Sequence, residues 1–300
     1  MKPQPSGGFE WVQTAGGLAL VCRAMTPFAD HLYTTREWAL GSRAEADEDW
    51  EAVATSLGVD AAHMVRAHQV HGSAVLTVRL KPDATTDAAP TVRLKPDATT
   101  TTECASAAAR PNADIILSND PFVALAIQTA DCVPLLVADR VTGAVAAAHA
   151  GWRGLAAGVP GVTIAALARE CGSRPADLVA AAGPSVGACC YEVGSDVLDA
   201  FRRGGFDDAT LRGWFLPAPR PTDRNLSMPG LRNSPRADRW FFDGWAATRQ
   251  QLEQCGVPAA QIHSAELCTA SHPGVLCSYR RDGKAGGRMA AAIRCAPPRP

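Results

Sequence analysis

The sequence predicts a mixed α/β or α+β fold, and three observations carry that expectation. Residues 133–138 and 144–148 form two short, uncharged apolar runs bounded by turn signals, which is how strands buried on both faces read. An apolar stripe at helical spacing, Ile164, Leu167 and Ala168, lies between Pro160 and Gly172, residues suited to a helix's first turn and to its stop. Strands and helices alternate only loosely along the chain, which argues against a plain doubly wound sheet.

The elements follow in order. Strands are expected at 17–23 and 31–35, the second leading into Arg36. Residues 44–57 are acidic at the start and apolar at helical spacing, so a helix ending near Gly58 is expected. Residues 63–70 alternate and should form a strand running into His71-Gly72, with extended chain at 73–78. The decapeptide TVRLKPDATT occupies 77–86 and recurs at 91–100. Two copies do not make a solenoid. With the Ala/Thr/Ser tail to 109, this stretch holds few large apolar residues to offset the entropy of ordering it, so it reads as a mobile surface insertion.

Strands at 114–117 and 122–127 lead into the stretch that organises the chain, residues 128–154. There Thr142-Gly143 supplies a turn between the two buried runs. Asp131-Cys132 precedes the first run and His149 follows the second, so pairing as a hairpin places Cys132 and His149 at the same end. Glycines flanking Trp152 and Arg153 suit a tight, partly exposed loop where backbone approaches a ligand. A strand at 178–182 ends in a Gly-Pro loop at 183–187, and a helix at 195–203 takes Ser195 as its cap. Residues 204–239, rich in Pro, Arg, Asp and Gly, read as a long loop. Residues 240–256 are amphipathic with Trp245, Leu252 and Cys255 inward, 261–267 is a strand, 277–289 is polar and glycine-rich, and 290–293 is a last strand.

Composition bounds the function. A chain of 300 residues is enough for one large domain or two small ones. A net charge of −1 leaves no footprint for nucleic acid or an anionic membrane. No apolar run reaches the roughly 18 residues of a membrane span, and residues 17–22 are too short for a secretion signal, so a cytoplasmic address is expected. The 10 cysteines lack a short-domain spacing pattern and read as reduced thiols. The vicinal Cys189-Cys190, on an extended segment, would point its side chains opposite ways.

Taken singly, Cys132 and His149 are ordinary structural residues, since buried cysteine is common and inert. With His71 they become a candidate metal set. Two imidazoles and a thiolate are good zinc ligands, and three protein ligands leave a fourth position for water or substrate. Without metal, Cys132 could serve as nucleophile with His149 or His71 as base. A closed structural clip would need a fourth ligand, Cys268 or His272. Multicopper chemistry needs ligands at several sites, for which 7 histidines in all are few.

Five motifs occur in one order: His-Gln-Val-His-Gly, Thr-Ala-Asp-Cys-Val-Pro, Ala-His-Ala-Gly-Trp-Arg-Gly, Gly-Pro-Ser-Val-Gly and Ser-Tyr-Arg-Arg-Asp-Gly. Across 34–293 the chain resembles the family once called multicopper polyphenol oxidoreductase or laccase-domain proteins, also described as peptidoglycan-editing factors and as purine nucleoside phosphorylases. The resemblance implies a single domain, a layered sandwich of two mixed β-sheets covered by helices. It implies zinc, with copper as the alternative, on His71, Cys132 and His149, the three catalytic residues. The implied reactions are phosphorolysis of adenosine, inosine, guanosine and S-methyl-5′-thioadenosine, and hydrolytic deamination of adenosine. The alternatives are a copper-dependent polyphenol oxidase, or a cysteine hydrolase with a peptidoglycan-editing role. Implied partners are purine nucleosides and phosphate, with no nucleic acid and no membrane.

Phosphate calls for guanidinium groups. Arg36, Arg153, Arg280 and Arg281 are the candidates, Arg153 foremost because it follows His149 by four residues. Gln69 and Tyr279, inside the matched motifs, join Arg36, Arg153 and Arg280 as substrate-binding candidates. The chain departs from the family pattern at Glu37-Trp38-Ala39-Leu40, where a glycine-rich loop is usual, and at Lys284–Arg288. Asp131 stands near the ligands, as acid for the leaving group or as a residue that orients a ligand.

Overall fold

Side-chain alternation along the strands builds the molecule as stacked layers. A computed structural model describes residues 2–38, 40, 50–79, 91–95, 110–231 and 236–296. The strands are β1 (Phe9–Thr14), β2 (Gly17–Cys22), β3 (Ala29–Thr34), β4 (Met64–Arg66), β5 (Val75–Arg79), β6 (Thr91–Lys95), β7 (Ile115–Ser118), β8 (Ala124–Thr129), β9 (Val133–Asp139), β10 (Val145–Ala150), β11 (Leu178–Ala182), β12 (Glu192–Gly194), β13 (Phe215–Leu216), β14 (Arg239–Phe242), β15 (Ile262–Ser264) and β16 (Met289–Cys295). The helices are α1 (Glu51–Ser56), α2 (Trp152–Ala156), α3 (Val159–Cys171), α4 (Ser195–Arg203), α5 (Asp208–Trp214), α6 (Gly244–Gln254) and α7 (Tyr279–Asp282).

One sheet has the order β1-β2-β3-β16-β8-β4 and the second β15-β11-β9-β10-β7-β5-β6, with a small third sheet β12-β14-β13. Both large sheets are mixed: β4 runs parallel to β8, β15 to β11 and β5 to β7, and the other neighbours are antiparallel. Every residue of β9 and β10 is buried, and alternate residues serve different layers. Leu136, Ala138, Val145 and Ala147 face the other sheet, packing with Leu125, Ile127, Ala291 and Ile293. Leu135, Val137, Ala146 and Ala148 face the helical layer, packing with Ile164, Leu167, Phe201 and Leu252 of α3, α4 and α6. The expected layered sandwich of two mixed sheets covered by helices is therefore what the chain forms. The Tyr33 hydroxyl donates to the Ala181 carbonyl across the sheets at 2.6 Å. A Cβ on Gly183 would meet the Tyr33 ring at 2.2 Å, so only glycine allows that approach.

The β9–β10 hairpin forms as expected, with Gly143 at φ +74° in its turn and Pro134 paired with His149. Other expectations are corrected. Gly151-Trp-Arg-Gly is not a loop: Gly151 caps α2, which begins at Trp152. Ser195 is the first helical residue, and the capping position belongs to Gly194. The 204–239 stretch is not all loop, because α5 and β13 form there once Leu211, Trp214 and Phe215 find the core; residues 232–235 lie outside the described residues. Of the expected 77–109 insertion, Thr77–Arg79 belong to β5, and β6 pairs with β5 so that Val78 meets Val92, placing the opening residues of both repeat copies in the sheet. Residues 80–90 and 96–109 lie outside the described residues, as do 44–49 of the expected helix 44–57. Sequence reasoning missed β1 altogether, and overextended β4 and β15, which are three residues each. Among the described residues no helix is long and apolar enough to cross a membrane.

Candidate active site

His71, Cys132 and His149 converge. Their ligand atoms all lie within 4.8 Å of one another, and the two imidazole centroids are 4.8 Å apart in an edge-on arrangement. Cys132 precedes β9 and His149 is the penultimate residue of β10, so the hairpin register puts both at one mouth of the sheet. His71 arrives on the turn after β4. His71 is exposed, Cys132 half-buried and His149 buried.

The residue that arranges them is Asp114, fully buried at the head of β7. Its Oδ1 accepts from the His71 amide at 3.0 Å and from His149 Nδ1 at 2.9 Å. Its Oδ2 accepts from the Gly72 amide at 2.6 Å and the Val70 amide at 3.3 Å. A carboxylate only accepts, so the His149 hydrogen sits on Nδ1 and Nε2 is left for the cluster. Burial pushes the Asp114 carboxyl up, but the His149 and Gly72 donors outweigh it and hold the pKa below the usual range. His71 has φ +61° and Asp131 φ +94°, left-handed backbone that costs non-glycine residues about 1–3 kcal/mol. The carboxylate across three successive amides holds the first turn. Thr269 Oγ1 at 2.6 Å and the Arg280 amide at 2.5 Å, both donating to the Asp131 carboxylate, hold the second.

Burial alone would raise the Cys132 thiol. The His149 and His71 imidazoles overcome it and bring the pKa down to about 6. Burial alone would lower His149; the Cys132 thiolate and the Asp114 carboxylate carry it up to about 9. Gly151 is required for this closeness, since a Cβ there would stand 2.8 Å from Cys132 Sγ and 3.4 Å from the His71 ring.

The cluster opens into a pocket of about 750 Å³, within the usual range for small-molecule sites. Arg110, Arg153, Arg280 and Arg288 line it, against one carboxylate, Asp131, whose oxygens already accept hydrogen bonds. Trp152, Tyr191 and Tyr279 supply aromatic surface; the Arg153 guanidinium lies 4.2 Å over the Trp152 ring and that of Arg280 5.1 Å over Tyr191. The wall of the pocket thus favours a flat molecule together with an anion.

The structure places the sequence-derived candidates unevenly. Arg153, Tyr279 and Arg280 line the pocket with their side chains exposed. Gln69 lines it too, but its amide is engaged in a two-point bond with the Gln128 backbone, at 2.8 Å and 2.7 Å. Arg36 is not among the lining residues: it holds the Pro273 carbonyl at 2.5 Å and Asp282 at 3.3 Å. Arg281 likewise clamps the Thr269 and Leu276 carbonyls. Sequence reasoning missed Asp114, Gln128, Tyr191 and Arg288. Gln128 Nε2 is buried without a hydrogen-bond partner at the pocket wall, a donor position open to a ligand. A lone aspartate opening a strand carries no signal of its own; only the β7–β10 pairing brings it beside His149.

A model of the family described as multi-copper polyphenol oxidoreductase laccase matches residues 39–296. A purine nucleoside phosphorylase of Bacteroides thetaiotaomicron is 36 % identical over 181 residues, 60 % of each chain. One of Streptomyces coelicolor is 34 % identical over 247 residues, 81 % of this chain and 79 % of its own. The chain spans about three-fifths of the length of the first curated relatives it matches. The crystal structure of a Bacillus licheniformis hypothetical protein, YfiH, superposes with a TM-score of 0.72 at 26 % identity, covering 93 % of this chain and 96 % of that one.

Proposed function

The chain belongs to the multi-copper polyphenol oxidoreductase laccase family, and from that premise we propose that it is a purine nucleoside phosphorylase that also deaminates adenosine. One observation carries this reading: a single pocket joins the His71/Cys132/His149 cluster to four arginines and three aromatic rings. The proposed substrates are adenosine, inosine, guanosine and S-methyl-5′-thioadenosine, with inorganic phosphate.

The donor set fits a zinc ion. Two imidazoles and one thiol sit within 4.8 Å of one another, Asp114 orients His149, and Gly151 leaves space beside the sulfur. Zinc bound to His71, Cys132 and His149 would supply Lewis acidity to activate water near neutral pH, the requirement for replacing the adenine amine by oxygen. The protein's own groups carry the rest. Trp152, Tyr191 and Tyr279 offer stacking surface to the purine, and Gln128 Nε2 a donor to its edge. Arg153, Arg280 and Arg288 hold phosphate beside the sugar. A phosphate oxygen then bonds to the anomeric carbon as the carbon–nitrogen bond breaks, and the guanidinium charges stabilise the anion against the oxocarbenium-like centre. The electron pair leaves with the purine nitrogen, which takes a proton from solvent, giving free base and ribose 1-phosphate, or from S-methyl-5′-thioadenosine the 5-methylthio analogue of that sugar phosphate.

Among the described residues one group joins imidazole with sulfur, a set too small for a multicopper centre. A cysteine hydrolase is the second reading, favoured by the Cys132 thiol at about 6 beside a raised His149. Zinc-replete protein incubated with each nucleoside should release purine base only when phosphate is present. No base from any of the four nucleosides, in protein that retains its metal, would contradict the phosphorylase reading.

A further inference from the structure

Behind the pocket lies a cluster that this chemistry does not use. Cys189, Cys190 and Cys268 place their Sγ atoms within 4.8 Å of one another, and each residue is 2 % exposed or less. The vicinal pair does not diverge as extended chain would. The Cys190 and Tyr191 amides both donate to the Gly187 carbonyl at 2.9 Å, and this tight turn presents both thiols to one place. The second segment docks there through backbone bonds, Ser185 amide to Leu267 carbonyl at 3.2 Å and Thr269 amide to Ser185 carbonyl at 3.0 Å, which seats Cys268 against the pair.

The surroundings suit thiolates: the polar neighbours are one amide and two oxygens at the margin, one of which, the Leu226 carbonyl, accepts from Cys190 Sγ at 3.6 Å and from the Ser271 hydroxyl at 2.6 Å. The Gly187 amide points at Cys268 Sγ at 3.3 Å, and the Ser271 hydroxyl lies 3.6 Å from the sulfurs of both Cys189 and Cys190. Val186, Ala270, Trp245 and the Met228 thioether pack around them. Three thiols are weak hydrogen-bond partners for one another, whereas three thiolates around one soft cation satisfy every sulfur. Metal–sulfur bonds of about 2.3 Å hold three sulfurs about 4 Å apart, so slight contraction of this cluster would close the site. Met228 and Leu231, half-buried residues of the 226–231 segment, pack over it.

We propose that Cys189, Cys190 and Cys268 form a second metal site, all-sulfur and three-coordinate, for a soft cation. Cu(I) is the preferred occupant, because three sulfurs complete its coordination whereas zinc seeks a fourth ligand. The occupant clips the 183–191 loop to the 265–272 segment. Both reach the pocket: Cys190 precedes Tyr191, and Cys268 precedes Thr269, which donates to Asp131.

The test uses the full chain, reduced and metal-stripped, in a Cys132→Ala background that disables the pocket cluster. It is titrated anaerobically with Cu(I) delivered from a chromophoric chelator, then separately with Zn(II), reading thiolate charge-transfer absorbance and bound metal. The expected result is one equivalent of Cu(I) with a strong charge-transfer band, lost on adding Cys268→Ser and lost equally on adding Cys190→Ser. If Cys268→Ser fails to fold, the Cys190→Ser chain still decides. Failure of the Cys132→Ala chain to take up Cu(I) or Zn(II), or unchanged uptake by the folded serine variants, would overturn the site. Uptake of Zn(II) in preference to Cu(I) would overturn the choice of metal.

Discussion

His71, Cys132 and His149 stand where a buried hairpin end opens to solvent, whereas Cys189, Cys190 and Cys268 stand beneath an apolar cover. The first group mixes nitrogen with sulfur, is oriented by a buried carboxylate, and faces four arginines. The second brings together three cysteines with no imidazole or carboxylate in the group. Two clusters of similar dimensions thus differ in setting: the first opens onto the pocket, and the second is closed over by apolar side chains.

The largest separation between them should come from His149→Ala. It removes a buried imidazole and the partner of Asp114, and turnover of adenosine should fall about 10³-fold, within the range for loss of a positioned catalytic group. Metal bound at the three cysteines should be untouched; parallel loss of both metals would erase the distinction. Asp114→Asn comes next. It keeps the shape but weakens the hold on His149 and three amides, and outer-shell changes of this kind cost about 10–100-fold in metal affinity. A competition titration reads this directly.

Arg153→Ala and Arg280→Ala probe the rim. Loss of a charged hydrogen bond costs about 1.5–3 kcal/mol, so the KM for phosphate should rise about 10–100-fold. Adenosine deamination, which uses no phosphate, should change far less, and equal losses in both reactions would refute the assignment of these arginines to phosphate. The smallest effect concerns protons in the metal-stripped chain. Cys132, lowered to about 6, stabilises the fold at high pH and loses that contribution as pH falls through about 6. His149, raised to about 9, stabilises it at low pH and loses that contribution as pH rises through about 9. Between these values folding moves a proton from thiol to imidazole without net uptake, so the melting temperature should be nearly flat. Alkylation of Cys132 should instead titrate near 6, and a midpoint at the ordinary thiol value would refute the pairing with His149.

Much of this was legible in the sequence, for identifiable reasons. The two apolar runs, their glycine turn and the polar residues at their ends specified the hairpin and the neighbourhood of Cys132 and His149, because register in a sheet buried on both faces is strongly constrained. Asp114 was invisible because its role depends on strand pairing across the 144–150 segment, not on local pattern. The cysteine cluster was misread because a turn at Gly187, rather than extended chain, sets the direction of the two thiols. Helix α5 hid among prolines and arginines, since Trp214 and Leu211 gain their burial only from the completed core. Arg36 shares its residue type with Arg153, and only the fold shows that its guanidinium serves the Pro273 and Asp282 segment instead.

The proposed chemistry requires the Cys132 cluster to hold the metal that serves it. The direct measurement is metal content together with product analysis of adenosine, with and without phosphate, for the parent chain and Cys132→Ala. The expected result is adenine that depends on phosphate, and inosine that does not, both abolished in the variant with loss of one equivalent of zinc. Undiminished products in a variant that has lost that zinc, or no products from a parent chain that retains it, would contradict the claim.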